Sequence, residues 1–557
     1  MMAGRILSDA CLFSLAFLVI SVSSASVPNN EEAPVVNAAV GKLRGSKRVV
    51  ADDKTVYAFT GVPYAKPPVG QLRYRKPEPE TPWGGNERDA TKTPPSCMQV
   101  AAFAPRNLLW VPFGLPTSED CLYLNVWTPT LNASAALPVM AWLHGGGFQV
   151  GSAAMPVDDG GNLAALGNVV VVTIAYRLQS FGFLYDGTDA APGNQGLHDQ
   201  ALALRWIQDN INAFGGNPEE VTLFGWSAGG ISTGFHLLSP GSKALFKQAI
   251  IQSAGVTKKG RAKDKSEMLK YSRSFARRFG CYNDSSDANI VPCLQNINAT
   301  LLSIVEQTFV YLEYGKFEPI FGDSFLPIEP RSAEFSGDKD VMIGQTANEG
   351  TNAIYTRTRE SFSEILAPRK INKAEMLHYL GRLYANLTLP QLMKLHELYM
   401  SEIGDFDYDA LRQALAETKG DSHVTCGSVN AACKLANATA MADSGKKVHF
   451  YEMNYVSPCT KRLAWFGMTH GDDIPLVFGR AFDKEGGCAA DSSYSRKIMD
   501  IWSSFAKGRT PTAPEGNEWP KFTSDSQSIL KLTATGSEVS RFNRNERCKA
   551  LKELNLY

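Results

Sequence analysis

The sequence has no excess of charge of either sign. Lys+Arg and Asp+Glu each total 56 in 557 residues, so the charge balance points neither to nucleic acid nor to an anionic membrane surface. It also lacks internal repeats and low-complexity linkers, so one large domain is expected rather than an array. Long apolar runs are scarce. Only Ala10–Val22 is nearly all apolar or small, and that is too short for a comfortable membrane span. Arg5 precedes it, and Ser23 and Ala25 supply the small side chains of a cleavage site before Ser26. The stretch 1–25 therefore reads as a secretory signal peptide, with 26–557 as the mature domain. No apolar tail follows Cys548, so neither a membrane anchor nor a glycolipid signal is expected. Histidine is also scarce, with eight in the chain, which narrows the search for a catalytic base.

Cysteine usage agrees with an oxidising, extracellular destination. Cys11 leaves with the signal, which gives nine of the ten in the mature chain, at 97, 121, 281, 293, 426, 433, 459, 488 and 548. An odd number implies several disulfides and at least one thiol unpaired or linked to another molecule. Sequons begin at Asn132, Asn283, Asn298, Asn386 and Asn437, and in a secreted chain these are candidate surface sites for N-linked glycans.

In chain order, the Gly- and Pro-rich stretch 58–79 reads as a rigid irregular segment over a core. The residues after Cys121 alternate as a strand, and Leu137–Leu143 is another. The β-branched run after Asn168 has the signature of a central strand covered on both faces. Asp199–Phe214 has apolar residues at helical spacing, and Val221–Phe224 is a further short strand. From about 256 to 440 the pattern is helical and charged, broken by one strand in DVMIGQTANEG. HFYEMNY and SRKIMDIWSSFAKG supply a late strand and helix. The class is α/β: a large, mostly parallel central sheet with helices on its faces and a helical region over the strands' carboxyl ends.

The chemistry centres on Val221–Gly230. A strand runs into Gly225-Trp226-Ser227-Ala228-Gly229, a small-x-Ser-x-small pattern that turns sharply into a helix and lifts the serine hydroxyl above the sheet. Upstream, a separate strand delivers His144 and three consecutive glycines, Gly145–Gly147. The backbone N–H groups of Gly146, Gly147 and Ala228 are the natural donors for a tetrahedral oxyanion. His144 reads as part of that scaffold, and His236 as a packed residue of the helix after the elbow. His470, in THGDDIPLVFG, lies far downstream in a polar loop, and Glu349 ends a strand in ANEG. Nucleophile, acid and histidine then follow in the α/β-hydrolase order, with His470 moving the Ser227 proton and Glu349 holding the imidazole.

The motifs GVPYAKPPVG, SEDCLYLNVW, HGGGF, YRLQSFGFL, FGWSAGG, ANEGT and HGDDIPLVFG together resemble the type-B carboxylesterases, the cholinesterase/carboxylesterase family, over essentially all of the mature chain. The resemblance implies Ser227 as nucleophile, Glu349 as acid and His470 as base, with oxyanion donors at Gly146, Gly147 and Ala228. It implies disulfides Cys97–Cys121, Cys281–Cys293 and Cys426–Cys548, while the pairing of Cys433, Cys459 and Cys488 stays open. Arg177 with Asp199, and Arg73 with Glu119, match the family's buried ion pairs, and Ser253 resembles the serine that supports the acid. No metal or organic cofactor is implied, and the partner is a small-molecule ester.

Several positions depart from the pattern. Trp226 stands where the family usually has Glu, which puts indole bulk and no charge beside the nucleophile in the substrate pocket. Trp110 lies near the choline-binding tryptophan of cholinesterases, one residue out of register. Thr351–Asn352 replaces a small-aromatic pair, EYGKFEPIFGD lacks the Phe-rich acyl pocket, and Asp473 replaces the commoner Glu. The reading is a secreted, glycosylated serine carboxylesterase acting on a neutral, fairly apolar ester. Its alternatives are an acetylcholinesterase-like or juvenile-hormone-esterase-like hydrolase, and a non-catalytic hydrophobic-ligand-binding or adhesion member of the same fold. Oligomeric state is left unassigned.

Overall fold

The four valines Val169–Val172 lead directly into a strand whose residues, Val170–Ile174, are all buried, as a segment covered on both faces requires. The structure is a computed structural model and describes residues 33–557 except 101–111, 113, 285–288, 312–314, 359, 364–365, 514–515 and 517. Trp110 and the signal segment 1–25 lie outside the described residues. Pro34–Tyr557 packs as one compact unit.

One sheet of eleven strands carries the architecture. Its first strands are β1 (Ser46–Val49), β2 (Thr55–Pro63), β3 (Tyr123–Thr128) and β4 (Leu137–Leu143). Then come β5 (Val170–Ile174), β6 (Gly216–Trp226), β7 (Gln248–Gln252) and β8 (Asp340–Thr346). The last three are β9 (Val448–Asn454), β10 (Ser528–Thr533) and β11 (Gly536–Arg541). In space the order is β1-β2-β3-β5-β4-β6-β7-β8-β9-β10-β11. From β5 across to β10 neighbours run parallel; β1, β2 and β3 at one edge and β11 at the other pair antiparallel.

Period-two alternation sends the two faces of this sheet into two separate cores. Val139, Ala141 and Leu143 of β4 face one cluster, with Leu204 and Ile207 of helix α2 (Gln195–Asn210) and Phe235 of α3 (Ala228–Leu238). Met140 and Trp142 face the other, with Leu163 of α1 (Gly161–Gly167) and Trp502 of α4 (Ser492–Ala506). A third cluster joins helices between Thr351 and Gly420 to the C-terminal helix Asn545–Glu553. Among the described residues no helix is long and apolar enough to cross a membrane.

Two segments differ from the sequence-based expectation. The stretch 58–79 is irregular only after Pro63, because its first residues extend β2. The register shift between Phe59 and Val62 lets β2 continue past Gly61. The β10–β11 hairpin adds an edge that the sequence did not announce. Four disulfides are present: Cys97–Cys121, Cys281–Cys293, Cys426–Cys548 and Cys459–Cys488. Cys433 is the free thiol among the described residues.

Candidate active site

Strand β6 ends at Trp226 and α3 begins at Ala228, so Ser227 alone spans the turn between them. Its backbone sits at φ +54°, ψ −118°, a conformation that L residues rarely adopt. The turn is over-determined: Ser227 N–H donates to the Gln252 carbonyl at 2.9 Å, and Ile231 N–H donates to the Ser227 carbonyl at 2.8 Å. Other backbone also presses close. A Cβ at Gly229 would fall 1.9 Å from the Leu143 carbonyl oxygen.

Three side chains from three separate loops meet at this turn. Nε2 of His470 lies 2.9 Å from Ser227 Oγ, and its Nδ1 lies 2.5 Å from Glu349 Oε2. A ring nitrogen facing a carboxylate holds the proton, so Nδ1–H donates to Glu349 and Nε2 is left to accept the serine hydroxyl. The other carboxylate oxygen of Glu349 accepts from Ser253 Oγ at 2.5 Å and from Thr346 N–H at 2.8 Å. Burial pushes the Glu349 carboxyl up, but His470, Ser253 and the Thr346 amide outweigh it and hold the group below the usual glutamate range.

Beyond β4, the glycine loop packs against this turn: a Cβ at Gly145 would fall 2.9 Å from the Trp226 carbonyl oxygen. Among the described residues, the N–H groups of Gly146, Gly147 and Ala228 donate to no protein acceptor. Ser227, His470, Gly146 and Gly147 are partly exposed, whereas most of their immediate chain neighbours are buried. The arrangement thus offers a hydroxyl with a base attached, next to unsatisfied donors, at one solvent-reachable point.

The remaining expected residues fall as follows. His144 is buried with its ring stacked on Tyr176 at 4.3 Å, and burial lowers its pKa to about 4. His236 is buried and bonded to Ser242 and Gln200, while His198 lies in the first turn of α2. Trp226, expected in the substrate pocket, is instead 2 % exposed and belongs to the core of Trp142, Phe224 and Phe478, because alternation along β6 turns its indole inward. Its ring packs 4.8 Å from the His470 ring and directly beneath Gly145, where a Cβ would lie 2.1 Å from the indole. Arg177 grips Asp199 through two bonds of 2.8 and 2.7 Å, and Arg73 grips Glu119 through two of 2.6 Å. All five sequon asparagines, Asn132, Asn283, Asn298, Asn386 and Asn437, are exposed.

Sequence reasoning missed the support under the histidine loop. Asp473, buried, accepts from Gln252 Nε2 at 2.7 Å, and Gln252 in turn accepts from Trp502 Nε1 at 3.0 Å. The alternation of β7 was the available signal, since Ser253 serves Glu349 and its neighbour Gln252 must face elsewhere. Burial raises Asp473 to about 6. A carboxyl raised on folding binds more protons when folded, so it costs stability as pH rises from about 3.8 through about 6. Asp473→Asn keeps an acceptor for Gln252 and removes that cost. The variant is expected to gain on the order of 2 kcal/mol at pH 8 and nothing at pH 3.5, read by denaturant unfolding at both values.

Residues 32–551 match the model of the family described as the Carboxylesterase family. Over 540 residues the chain is 32% identical to acetylcholinesterase-1 of Trittame loki, covering 92% of this chain and 93% of that protein. It is 30% identical over 585 residues to the acetylcholinesterase of Electrophorus electricus, with 97% and 91% covered. With the acetylcholinesterase of Bungarus fasciatus the identity is 33% over 521 residues, covering 89% and 82%.

Proposed function

From the premise that the chain belongs to the carboxylesterase family and is a serine carboxylic-ester hydrolase, we propose that Ser227, His470 and Glu349 carry its chemistry, in a secreted protein acting on a neutral, fairly apolar ester. The observation behind this reading is the unbroken hydrogen-bonded line from Ser227 Oγ through His470 to Glu349, beside the unpaired amides of Gly146, Gly147 and Ala228. In the first half-reaction Ser227 Oγ attacks the ester carbonyl while His470 Nε2 takes its proton. Charge on the tetrahedral oxygen is met by the three amides, and the imidazolium by Glu349. His470 then returns the proton to the departing alkoxide, leaving an acyl-serine. Water, deprotonated by the same nitrogen, repeats the sequence and releases the acid.

Secretion is supported by the N-terminal signal pattern and by four disulfides. The exposed sequon asparagines suit N-linked glycans. For the substrate, the support is that position 226, next to the nucleophile, carries an uncharged residue whose indole lies in the core rather than in a pocket. A second reading, an acetylcholinesterase-like choline-ester hydrolase, is favoured by the names of the relatives.

Labelling the purified protein with a fluorophosphonate and mapping the adduct by mass separates these. The expected result is one adduct, at Ser227, and turnover of p-nitrophenyl butyrate well above that of acetylthiocholine. Preference for acetylthiocholine would transfer the reading to the choline ester, and no adduct on folded protein would overturn the assignment of Ser227.

A further inference from the structure

A second cavity, of about 380 Å³, is lined by the segment that follows His470 and by the Cys459–Cys488 bridge. None of Ser227, His470 and Glu349 lines it. Its volume suits a small organic molecule, and much of its wall is carbon, from Pro475, Leu476, Ala481 and the ring of Tyr455.

The polar part of the wall combines paired charges with spare donors. Both of its carboxylates are engaged: Asp491 accepts from Tyr455 at 2.8 Å and Ser457 at 2.7 Å, and Asp472 accepts from Arg462 at 2.6 Å and Thr469 N–H at 2.8 Å. Its cations are not saturated. Lys461 is exposed and has no ion-pair partner among the described residues. Arg462 pairs with Asp472 through one Nη and uses its Nε on Thr460, and Arg480 pairs with Asp483 through a single Nη, which leaves the other Nη of each without a protein acceptor among the described residues. A ligand entering here meets spare guanidinium donors and the ammonium of Lys461 above an apolar floor, which matches a carboxylate on a short carbon body.

The same wall is tied to the catalytic loop. Asp472 holds the N–H of Thr469, the residue before His470, with the oxygen that also takes Arg462. Burial pushes the Asp472 carboxyl up, and Arg462 is the largest force against it. A ligand that draws Arg462 away therefore removes one of the two donors on that oxygen and disturbs the contact that ties Asp472 to the chain at His470.

We propose that this cavity binds a small amphipathic monocarboxylate, the chemical class of the acid that ester hydrolysis releases, and that its occupancy lowers turnover through the Asp472–Thr469 contact. The binding stands apart from the chemistry assigned to Ser227; only the feedback meaning rests on that reading.

Sodium octanoate is the probe, with octan-1-ol as the uncharged control. Calorimetric titration of full-length Ser227→Ala protein is expected to show one octanoate per chain and no uptake of octanol. Binding should be lost in Ser227→Ala protein that also carries Arg480→Gln, which removes a donor, or Ala481→Phe, which fills the space. The two changes act differently, so one folded variant suffices. In wild-type enzyme, saturating octanoate should lower kcat about threefold at unchanged KM, and the Arg480→Gln single variant should escape this. Octanoate binding that survives both changes would overturn the site, as would equal uptake of octanol. Binding with unchanged kcat would overturn the coupling. Loss of all esterase activity in wild-type protein with octanoate binding intact would count against the roles at Ser227 and leave the cavity assigned.

Discussion

Replacing Ser227 with alanine is expected to reduce kcat for a p-nitrophenyl ester about 10⁶-fold, while circular dichroism and the thermal midpoint stay close to wild type. The size follows from loss of the covalent route, since the amides of Gly146, Gly147 and Ala228 remain to polarise a bound ester but nothing is left to attack it. His470→Ala should cost about as much, and the Ser227/His470 double variant little more, because the two act as one unit. Glu349→Gln should cost roughly 10³- to 10⁴-fold. Glutamine cannot offset imidazolium charge, and its N–H₂ turned toward His470 would favour the wrong tautomer. This variant also has a stability signature. The Glu349 carboxyl lies below its ordinary value of 4.5 when folded, so it adds stability above that pH, and the contribution is lost as pH falls through the lower folded value. Glu349→Gln should therefore be less stable than wild type at neutral pH and nearly equal in strong acid. Steady-state kinetics of the four variants, paired with acid titrations of wild type and Glu349→Gln, test the scheme. More than about 1% of wild-type kcat in Ser227→Ala would sink it.

Much of this site was legible in the sequence because each part is a local solution to a steric problem. The elbow needs small residues at 225 and 229 since other backbone touches both, and the glycine loop needs residues that tolerate positive φ. Such demands mark a chain in one dimension. The central strands were legible for a related reason, as burial on both faces leaves β5 almost wholly β-branched and apolar, with Thr173 its one polar residue. Features that depend on distant partners left no such mark. The Gly- and Pro-rich composition of 58–79 hid the end of β2, although its residues 55–59 favour a strand and pair with β1 and β3. Gln252 is an ordinary glutamine until β7 is set beside the loop of Asp473 and the helix of Trp502. The partner of Cys459 could not be read from spacing, because Cys488 approaches it only once the His470 loop is folded between them. For Trp226 the residue's identity was legible but not its direction. Alternation along β6 turns the indole into the core with Trp142, where it supports His470 and Gly145 from beneath.

Gly146→Ala is expected to lower kcat about 10²- to 10³-fold, with KM changed far less. At φ +105° the residue occupies a region hostile to L side chains, and an added Cβ would lie 1.9 Å from the Val150 carbonyl oxygen. Neither fault can be relieved by a side chain swinging aside, since the obstacle is backbone. The carbonyl of Gly146 also accepts Gln149 N–H at 3.0 Å and Val150 N–H at 3.1 Å, so a shift at 146 opens the turn that aims the neighbouring amides. Donors that miss the developing oxyanion by a fraction of an ångström lose most of their effect on the transition state and little of their effect on the neutral ester. Gly147→Ala provides the contrast. Its φ of +64° is strained for alanine, yet a Cβ there meets nothing within 4 Å, so only the backbone strain of about 1 kcal/mol applies and the loss should stay near tenfold. Rates of Ser227 phosphonylation should fall in the same order, because that reaction also builds charge on an oxygen facing the loop. Equal losses in the two variants, or a Gly146→Ala enzyme impaired in KM alone, would show that the oxyanion is held elsewhere.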